Sequence, residues 1–316
     1  MPSIAPDIRA AGLAARDMFD ALKFGEDVAD ISLSSRYEHL RSELVRLADH
    51  VLRASQRHYM WDVDSEAYYD VTRTQNGAKA TKEQDFREQF RPIDVAETIR
   101  EGCALMDKKR RVQALYLPGV IEPKRQAMKE PIVPSKDLAT LGRDPTRTQH
   151  LLQAWVVEME DSAIILSCAL AIVHPEQFEL SLRCLEKLCE EDEFASIAEQ
   201  WAFAFSAVSV ISNRETPEHR DKSSGGYGMF DLLLSIGGCP RTALELPGLG
   251  VRFAYESGTI VLFSGHVHLH TVSPSEKERM CIACYARKAV HHKFGLNLPS
   301  SVTIQELLSD DFTYVP

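Results

Sequence analysis

After Trp201 the chain breaks into short runs rich in β-branched and aromatic residues: FAFSAVSVIS, MFDLLLSIG, TALELP, VRFAYE, TIVLFSG, LHTVS and MCIACYA. Turn-formers such as GGCP, PGLG and ESG separate them. Runs of this length between turn signals read as strands, and their close spacing joins them as antiparallel neighbours rather than through crossover helices. A series of this kind closes into a sandwich or an open barrel. The chain before Trp201 has a different texture. Apolar residues recur at helical spacing over 8–24 and 36–58, the second stretch carrying Leu40, Leu44, Leu47, Val51 and Leu52. Polar residues including QNGAKATKEQD follow over about 62–92 and predict a surface loop. A third helix is expected over 93–110, then a short strand, QALYLPGVI, and a Pro- and Lys-rich loop, EPKRQAMKEPIVPSKD. Helical signals return over 148–200, interrupted at His174-Pro175, because the residue before a proline disfavours the helical region. The expected class is α+β, with a β core at about 202–290 preceded and supported by helices. An N-terminal helical region, 1–112, is expected to precede a second unit, 113–316.

Bulk properties narrow the function. No apolar run approaches the roughly 18 residues of a membrane span, and MPSIAPDIRAAGLAARDMF lacks the basic-then-apolar pattern of a secretory signal. A soluble, intracellular protein in a reducing compartment is therefore expected, with no membrane contact and no obligate protein partner evident. The seven cysteines are odd in number and scattered in apolar context, which favours free buried thiols. Cys281 and Cys284 form a C-x-x-C, but in a strand they point to opposite faces, which argues against a zinc knuckle. A net charge of -10 counts mildly against nucleic acid. The charge is segregated, however. Lys108, Lys109, Arg110 and Arg111 run together, with Lys124, Arg125, Lys129, Arg143 and Arg147 after them, while Glu190, Glu191, Asp192 and Glu193 form an acidic block. The basic run suits either a solvated helix end or a phosphate contact.

The chemistry-bearing residues lie in or beside the β runs. In NRETPEHRD, His219 and Asp221 form an H-x-D whose imidazole and carboxylate can turn toward one point, a mixed N/O pair that suits a divalent first-row metal. About fifty residues on, GHVHLHTVSPSEKER offers His266, His268 and His270, which share strand parity, so alternation does not choose among them. Any of the three completes a two-His-one-carboxylate triad with positions left open for a co-substrate and O2. Arg279, nine residues after His270, selects that histidine if the two face each other across neighbouring strands, since a guanidinium fork is what a co-substrate carboxylate requires. Asn213 and Arg214 precede the triad and suit either a ligand contact or the turn itself. Asp231 heads an apolar strand and, if buried, needs a partner such as Arg220.

These motifs resemble a known family, the double-stranded β-helix (jelly-roll, cupin-like) oxygenases, and within it the TET/JBP group that oxidises methylated bases in DNA. They are most similar to fungal members. The resemblance covers roughly 206–294 and rests on NRETPEHRD, FDLLLSIGG, LELPGLGVRF, GTIVLFSG and ERMCIACYARK, in that order. It implies an Fe(II)- and 2-oxoglutarate-dependent dioxygenase using O2, with ascorbate as reductant. His219, Asp221 and His270 would be the iron ligands and Arg279 the 2-oxoglutarate anchor, with Asn213 and Cys281 as further co-substrate contacts. Cys281 departs from the small hydroxyl residue the family often has there. Arg279, Cys281, Ala283, Tyr285 and Arg287 share one face of the last strand, which the resemblance makes the barrel interior. Tyr285 and Arg287, with Arg214 and Arg220, are then candidates for contacting a flipped base.

The implied substrate is methylated duplex DNA, either 5-methylcytosine oxidised to its hydroxymethyl and further products or N6-methyladenine demethylated, and the implied location is the nucleus. Two other readings stand beside it: a dioxygenase acting on protein, RNA or a small molecule, and a catalytically inactive β-helix binding module.

Overall fold

The computed structural model describes residues 4–55, 59–62, 67–70, 114–117, 121–122, 133–134 and 154–299, apart from 193, 213–215, 223, 240 and 276. The helix expected over 93–110, most of the polar stretch over 62–92, the basic residues from Lys108 to Arg147, and Asn213 and Arg214 lie outside the described residues.

Helix α1, Ala5–Phe24, has a proline in its first turn and Asp7 beside its positive dipole end. It stops at Gly25, whose left-handed φ of 73° lets its N–H reach the carbonyls of Ala21 and Leu22. A 3-10 turn, Ser35–Leu40, leads into α2, Arg41–Ser55. The expected 36–58 helix is thus split, with Tyr37 non-helical at the joint. Two further helices, α3 (Glu160–Val173) and α4 (Pro175–Cys189), meet at His174 as the proline dictates. Helix α3 is buried on nearly every side, Ala163 through Ile172 including a run of seven consecutive buried residues from Leu166. That explains its all-round apolar sequence. Short helices α5 (Ala195–Ala198) and α6 (Lys288–Lys293) bracket the β region.

Strands β1 (Tyr59–Asp62) and β2 (Ala67–Asp70) pair antiparallel, so the stretch expected as loop from 62 opens with a hairpin. Strand β3 is Ala114–Leu117, and β4 (Ile121–Glu122) pairs with β5 (Val133–Pro134). The main strands are β6 (Ala207–Ser212), β7 (Thr216–His219), β8 (Asp231–Gly237) and β9 (Ala243–Leu246). They are followed by β10 (Val251–Ala254), β11 (Ile260–Phe263), β12 (His270–Val272) and β13 (Arg279–Tyr285). Two antiparallel sheets result, one in the order β11-β8-β13-β6-β3 and the other in the order β10-β9-β12-β7. From β6 to β13 the chain alternates between the sheets except at the β9–β10 hairpin, which closes one end of the smaller sheet, the arrangement of a double-stranded β-helix, and the α+β expectation holds.

The five-stranded sheet uses its two faces for different purposes. Val208, Leu232, Ile282 and Cys284 point outward and join Met18, Ile164 and Leu182 of the helices in one core. Val261, Phe263, Cys281 and Ala283 point inward and pack against Leu244, Leu246 and Val272 of the smaller sheet. Cys281 and Cys284 therefore face opposite ways, as period-two alternation requires. Helices α1 and α2 share the outer core with α3 and α4. Contact between α1 and α4 is tight enough that a Cβ on Gly12 would lie 2.3 Å from Phe178 Cζ. Gly12→Leu should therefore overpack the helical layer and lower unfolding free energy by about 1–3 kcal/mol, read as a reduced urea midpoint at unchanged m-value.

His291 in α6 is fully buried, its Nδ1–H donating to the Arg287 carbonyl at 3.2 Å while Nε2 has no hydrogen-bond partner among the described residues. Burial pushes its pKa below the usual histidine value despite that carbonyl. The folded state then binds fewer protons than the unfolded state, so this stability is present above the unfolded pKa of about 6.5 and is lost as pH falls toward the lower folded value. Wild type should lose stability more steeply than His291→Phe between pH 7 and pH 5. The difference approaches at most about 1.4 kcal/mol per pH unit, and equal slopes would refute it.

Candidate metal centre

Strand β7 ends at His219, and Asp221 follows two residues on. Antiparallel pairing of β12 with β7 sets His270 opposite His219, bringing the two rings to 4.1 Å between centroids. His270 Nε2 lies 3.5 Å from Asp221 Oδ2 and His219 Nε2 lies 3.6 Å from Asp221 Oδ1. One ligand atom from each of the three residues falls within 4.8 Å of the others.

The tautomers follow from what lies behind each ring. His219 Nδ1 is 2.8 Å from the Pro217 carbonyl and His270 Nδ1 is 3.1 Å from the His268 carbonyl. A carbonyl only accepts, so each Nδ1 carries a proton, and in its neutral form each ring turns an Nε2 lone pair toward Asp221. Two lone pairs converge on a carboxylate at spacings too long for good N–H···O bonds. A divalent cation resolves this convergence of acceptors, and a mixed N/O set with three protein donors is what a non-haem iron site with open positions uses. The donor set therefore fits Fe(II).

Without an ion, protons compete for the same place. Burial opposes the charge on Asp221, but His270 and His219 outweigh it and hold the carboxyl below the usual range. Burial likewise opposes protonation of His270, yet the Asp221 carboxylate and the His268 carbonyl raise its pKa.

The other two histidines lie elsewhere. Residues 264–268 form a turn, with Val267 N and His268 N both donating to the Ser264 carbonyl, so strand parity does not extend back from His270. His266 meets Tyr227 edge-on at 4.8 Å, and His268 contributes through its backbone carbonyl alone.

A cavity of about 360 Å³ opens between the two sheets, lined by the triad and by Arg279, Cys281, Ala283, Tyr285 and Arg287, as the shared parity of these five residues predicts. His270 and Arg279 lie on the successive strands β12 and β13, which belong to opposing sheets, so they reach the cavity from its two sides. Arg279 is 5% exposed, its Nε donates to Ser235 Oγ at 3.1 Å, and its guanidinium lies 4.6 Å from the centre of the Tyr255 ring. Tyr255 also places its hydroxyl 3.4 Å from Cys281 Sγ. Burial raises the Cys281 pKa, so the thiol stays protonated and is not a thiolate ligand. Tyr285 shares a hydrogen bond with Ser209 Oγ at 3.0 Å and accepts one from Arg287 Nη2 at 3.3 Å. Arg287 Nε is buried with no hydrogen-bond partner among the described residues.

Arg220 does not line the cavity. It is exposed and donates from Nε to the Val267 carbonyl at 2.9 Å. Asp231, which was expected to pair with it, instead accepts from Ser224 Oγ at 2.6 Å and from Gly265 N–H at 3.1 Å. Burial pushes the Asp231 pKa up to about 7, against those two hydrogen bonds. Neither Ser224 nor Gly265 stood out in the sequence, and neither did Tyr255 or Ser235. Only the inward parity of Asp231, Leu233 and Ser235 along β8 could have flagged the serine.

The fold and donor set define a class, a double-stranded β-helix with a two-His-one-carboxylate centre. Residues 136–288 match the Tet_JBP family model, the oxygenase domain of the 2OGFeDO superfamily, and so carry a 2-oxoglutarate- and Fe(II)-dependent dioxygenase domain. Among solved structures, NgTET1 in complex with 5mC DNA aligns at 14% identity and a TM-score of 0.41, covering 67% of this chain and 74% of that one. A 2OG-Fe(II) oxygenase-family oxidoreductase from Burkholderia pseudomallei aligns at 14% identity and a TM-score of 0.22, covering 34% and 61%. A cupin 2 conserved barrel domain protein from Salinispora arenicola aligns at 17% identity and a TM-score of 0.21, covering 28% and 68%. No curated protein matches the sequence. Among the described residues, no helix is long and apolar enough to cross a membrane.

Proposed function

We propose that this dioxygenase oxidises a methyl group on a base in DNA, with 5-methylcytosine as first candidate and N6-methyladenine as second, and that it acts in the nucleus. His219, Asp221 and His270 hold Fe(II), and Arg279 grips the distal carboxylate of 2-oxoglutarate. When bound, Fe(II) supplies the O2 activation that couples oxidative decarboxylation of 2-oxoglutarate to hydroxylation of a C–H bond. The observation that carries the reading is the shared cavity, in which the donor triad faces a polar set formed by Ser209, Tyr285 and Arg287.

Its volume of about 360 Å³ sits near the small end of ligand pockets, enough for the co-substrate and one planar base. Arg287 Nε offers a buried donor to an acceptor on the base edge, and the Tyr285 ring offers a face. Ile211, Leu233, Val272 and Ala283 line the remainder and exclude water. A base reaches such a space only after leaving the helix stack, which takes a few kcal/mol that contacts outside the cavity must offset. The family match and the converging donors remove support from the metal-free binding module.

The test is nucleoside mass spectrometry of duplexes carrying either base, incubated with Fe(II), 2-oxoglutarate and ascorbate, for wild type and His219→Ala. Oxidised product from one duplex with wild type alone is the expected result. Succinate release without base product from any methylated duplex would sink the DNA assignment and favour a protein, RNA or small-molecule substrate.

A further inference from the structure

The carboxylate of Asp221 is the one anionic donor in the triad, and its side chain is 48% exposed. A half-exposed aspartate samples several rotamers unless its backbone and surroundings are fixed. Here they are fixed by a closed circuit of four hydrogen bonds. Asp221 N–H donates to the Gly265 carbonyl at 2.9 Å, and Gly265 N–H donates to Asp231 Oδ2 at 3.1 Å. Ser224 Oγ donates to Asp231 Oδ1 at 2.6 Å, and Ser224 N–H returns to the Asp221 carbonyl at 3.0 Å. Three separate segments meet in this ring: the turn after β7, the head of β8 and the turn after β11.

The side chains interlock as well. A Cβ on Gly265 would lie 2.4 Å from Asp231 Oδ2 and 3.1 Å from Asp221 Oδ2, so both carboxylates press on the space this glycine leaves. The ring is tied in turn to the helical layer. Gln177, fully buried near the start of α4, accepts Phe230 N–H at 2.7 Å and donates to the Phe230 carbonyl at 2.8 Å. His174 Nε2–H donates to the Gly228 carbonyl at 2.9 Å. Phe230 immediately precedes Asp231, so α4 fixes the head of β8. Asp231 is 4% exposed, lines the cavity, and does not belong to the group of convergent donors.

We propose that Asp231 is a positioning residue for the metal-binding carboxylate, holding Asp221 in place through Ser224 and Gly265 and thereby setting the affinity of the site for a divalent ion. This rests on reading His219, Asp221 and His270 as the metal centre. Outer partners that orient a metal ligand typically change affinity about 10–100-fold when removed. Asp231→Asn keeps the shape but exchanges one acceptor oxygen for an N–H2, so Ser224 Oγ–H and Gly265 N–H can no longer both be satisfied.

The experiment titrates Mn(II) into the metal-free 316-residue protein by calorimetry, with Co(II) visible absorption as a reporter of ligand geometry and a thermal melt on each sample. Wild type should bind one ion, and Asp231→Asn and Ser224→Ala should each bind it about 10–100-fold more weakly with an altered Co(II) spectrum. Ser224→Thr, which keeps the hydroxyl, should restore affinity, and the Asp231→Asn, Ser224→Ala double variant should lose less than the sum of the singles. If Asp231→Asn does not fold, the Ser224 pair decides alone. A lower melting temperature with unchanged affinity and spectrum would make Asp231 a purely structural residue and overturn the proposal. A wild type that binds no ion would overturn the metal centre itself, a different outcome from a wild type and variants that bind equally well.

Discussion

Asp221→Ala is expected to abolish turnover and ion binding together while the protein stays folded. The two remaining donors are neutral imidazoles held as Nδ1–H tautomers by the Pro217 and His268 carbonyls, so nothing in the triad then offsets the charge of a dication. The loss should exceed the roughly 10–100-fold typical of outer partners, because a ligand itself is gone. Folding should survive, since alanine keeps the N–H bonded to Gly265 and the carbonyl bonded to Ser224. A second effect appears without metal. The carboxylate raises the His270 pKa against burial, so its removal should lower that pKa, measurable by proton NMR of the imidazole. A variant that bound Mn(II) as tightly as wild type would refute the assignment of this carboxylate.

Arg279→Ala should produce the next largest change, confined to 2-oxoglutarate. The guanidinium is buried at the cavity wall, fixed by Ser235 and by the ring of Tyr255, so its fork is oriented before any co-substrate arrives. Truncating one member of a buried, hydrogen-bonded charge pair takes away about 2–5 kcal/mol, or roughly 30-fold to several thousand-fold in affinity. Arg279→Lys should recover little of it, because a point charge neither bridges a carboxylate with two parallel bonds nor stacks as well on Tyr255. Calorimetric titration of 2-oxoglutarate into Mn(II)-loaded protein separates this from metal loss. Unchanged co-substrate affinity in Arg279→Ala would move the anchor elsewhere.

Much of this site is legible in the amino-acid order because its geometry is local or periodic. His219-x-Asp221 needs only a strand end to converge, and the inward set from Arg279 to Tyr285 needs only alternation along β13. Cys281 and Cys284 separate for the same reason. What pattern could not supply was long-range closure. Parity treated His266, His268 and His270 alike, whereas the turn over 264–268 removes the first two from the strand. Asp231 was expected to pair with Arg220 because a buried carboxylate calls for a cation. A serine hydroxyl and a backbone N–H satisfy it instead, and burial brings its pKa up to about 7, which lessens the need for a counter-ion. Gly265 gave no signal, since its value is the empty space beside two carboxylates. Nor did spacing place His270 and Arg279 on opposing sheets, because a short connection is compatible with either arrangement.

The division of labour along β13 has a bearing on how this enzyme could be retuned. Ile282 and Cys284 are committed to the foundation beneath the helices, while Cys281, Ala283 and Tyr285, one residue out of phase, face the space between the sheets and line the chamber. Substitutions of similar volume at those three alternate positions should spare the helical layer and, under the proposed function, alter which substrate is accepted. Adaptation to a new substrate is then open to single substitutions that leave the packing beneath the helices untouched.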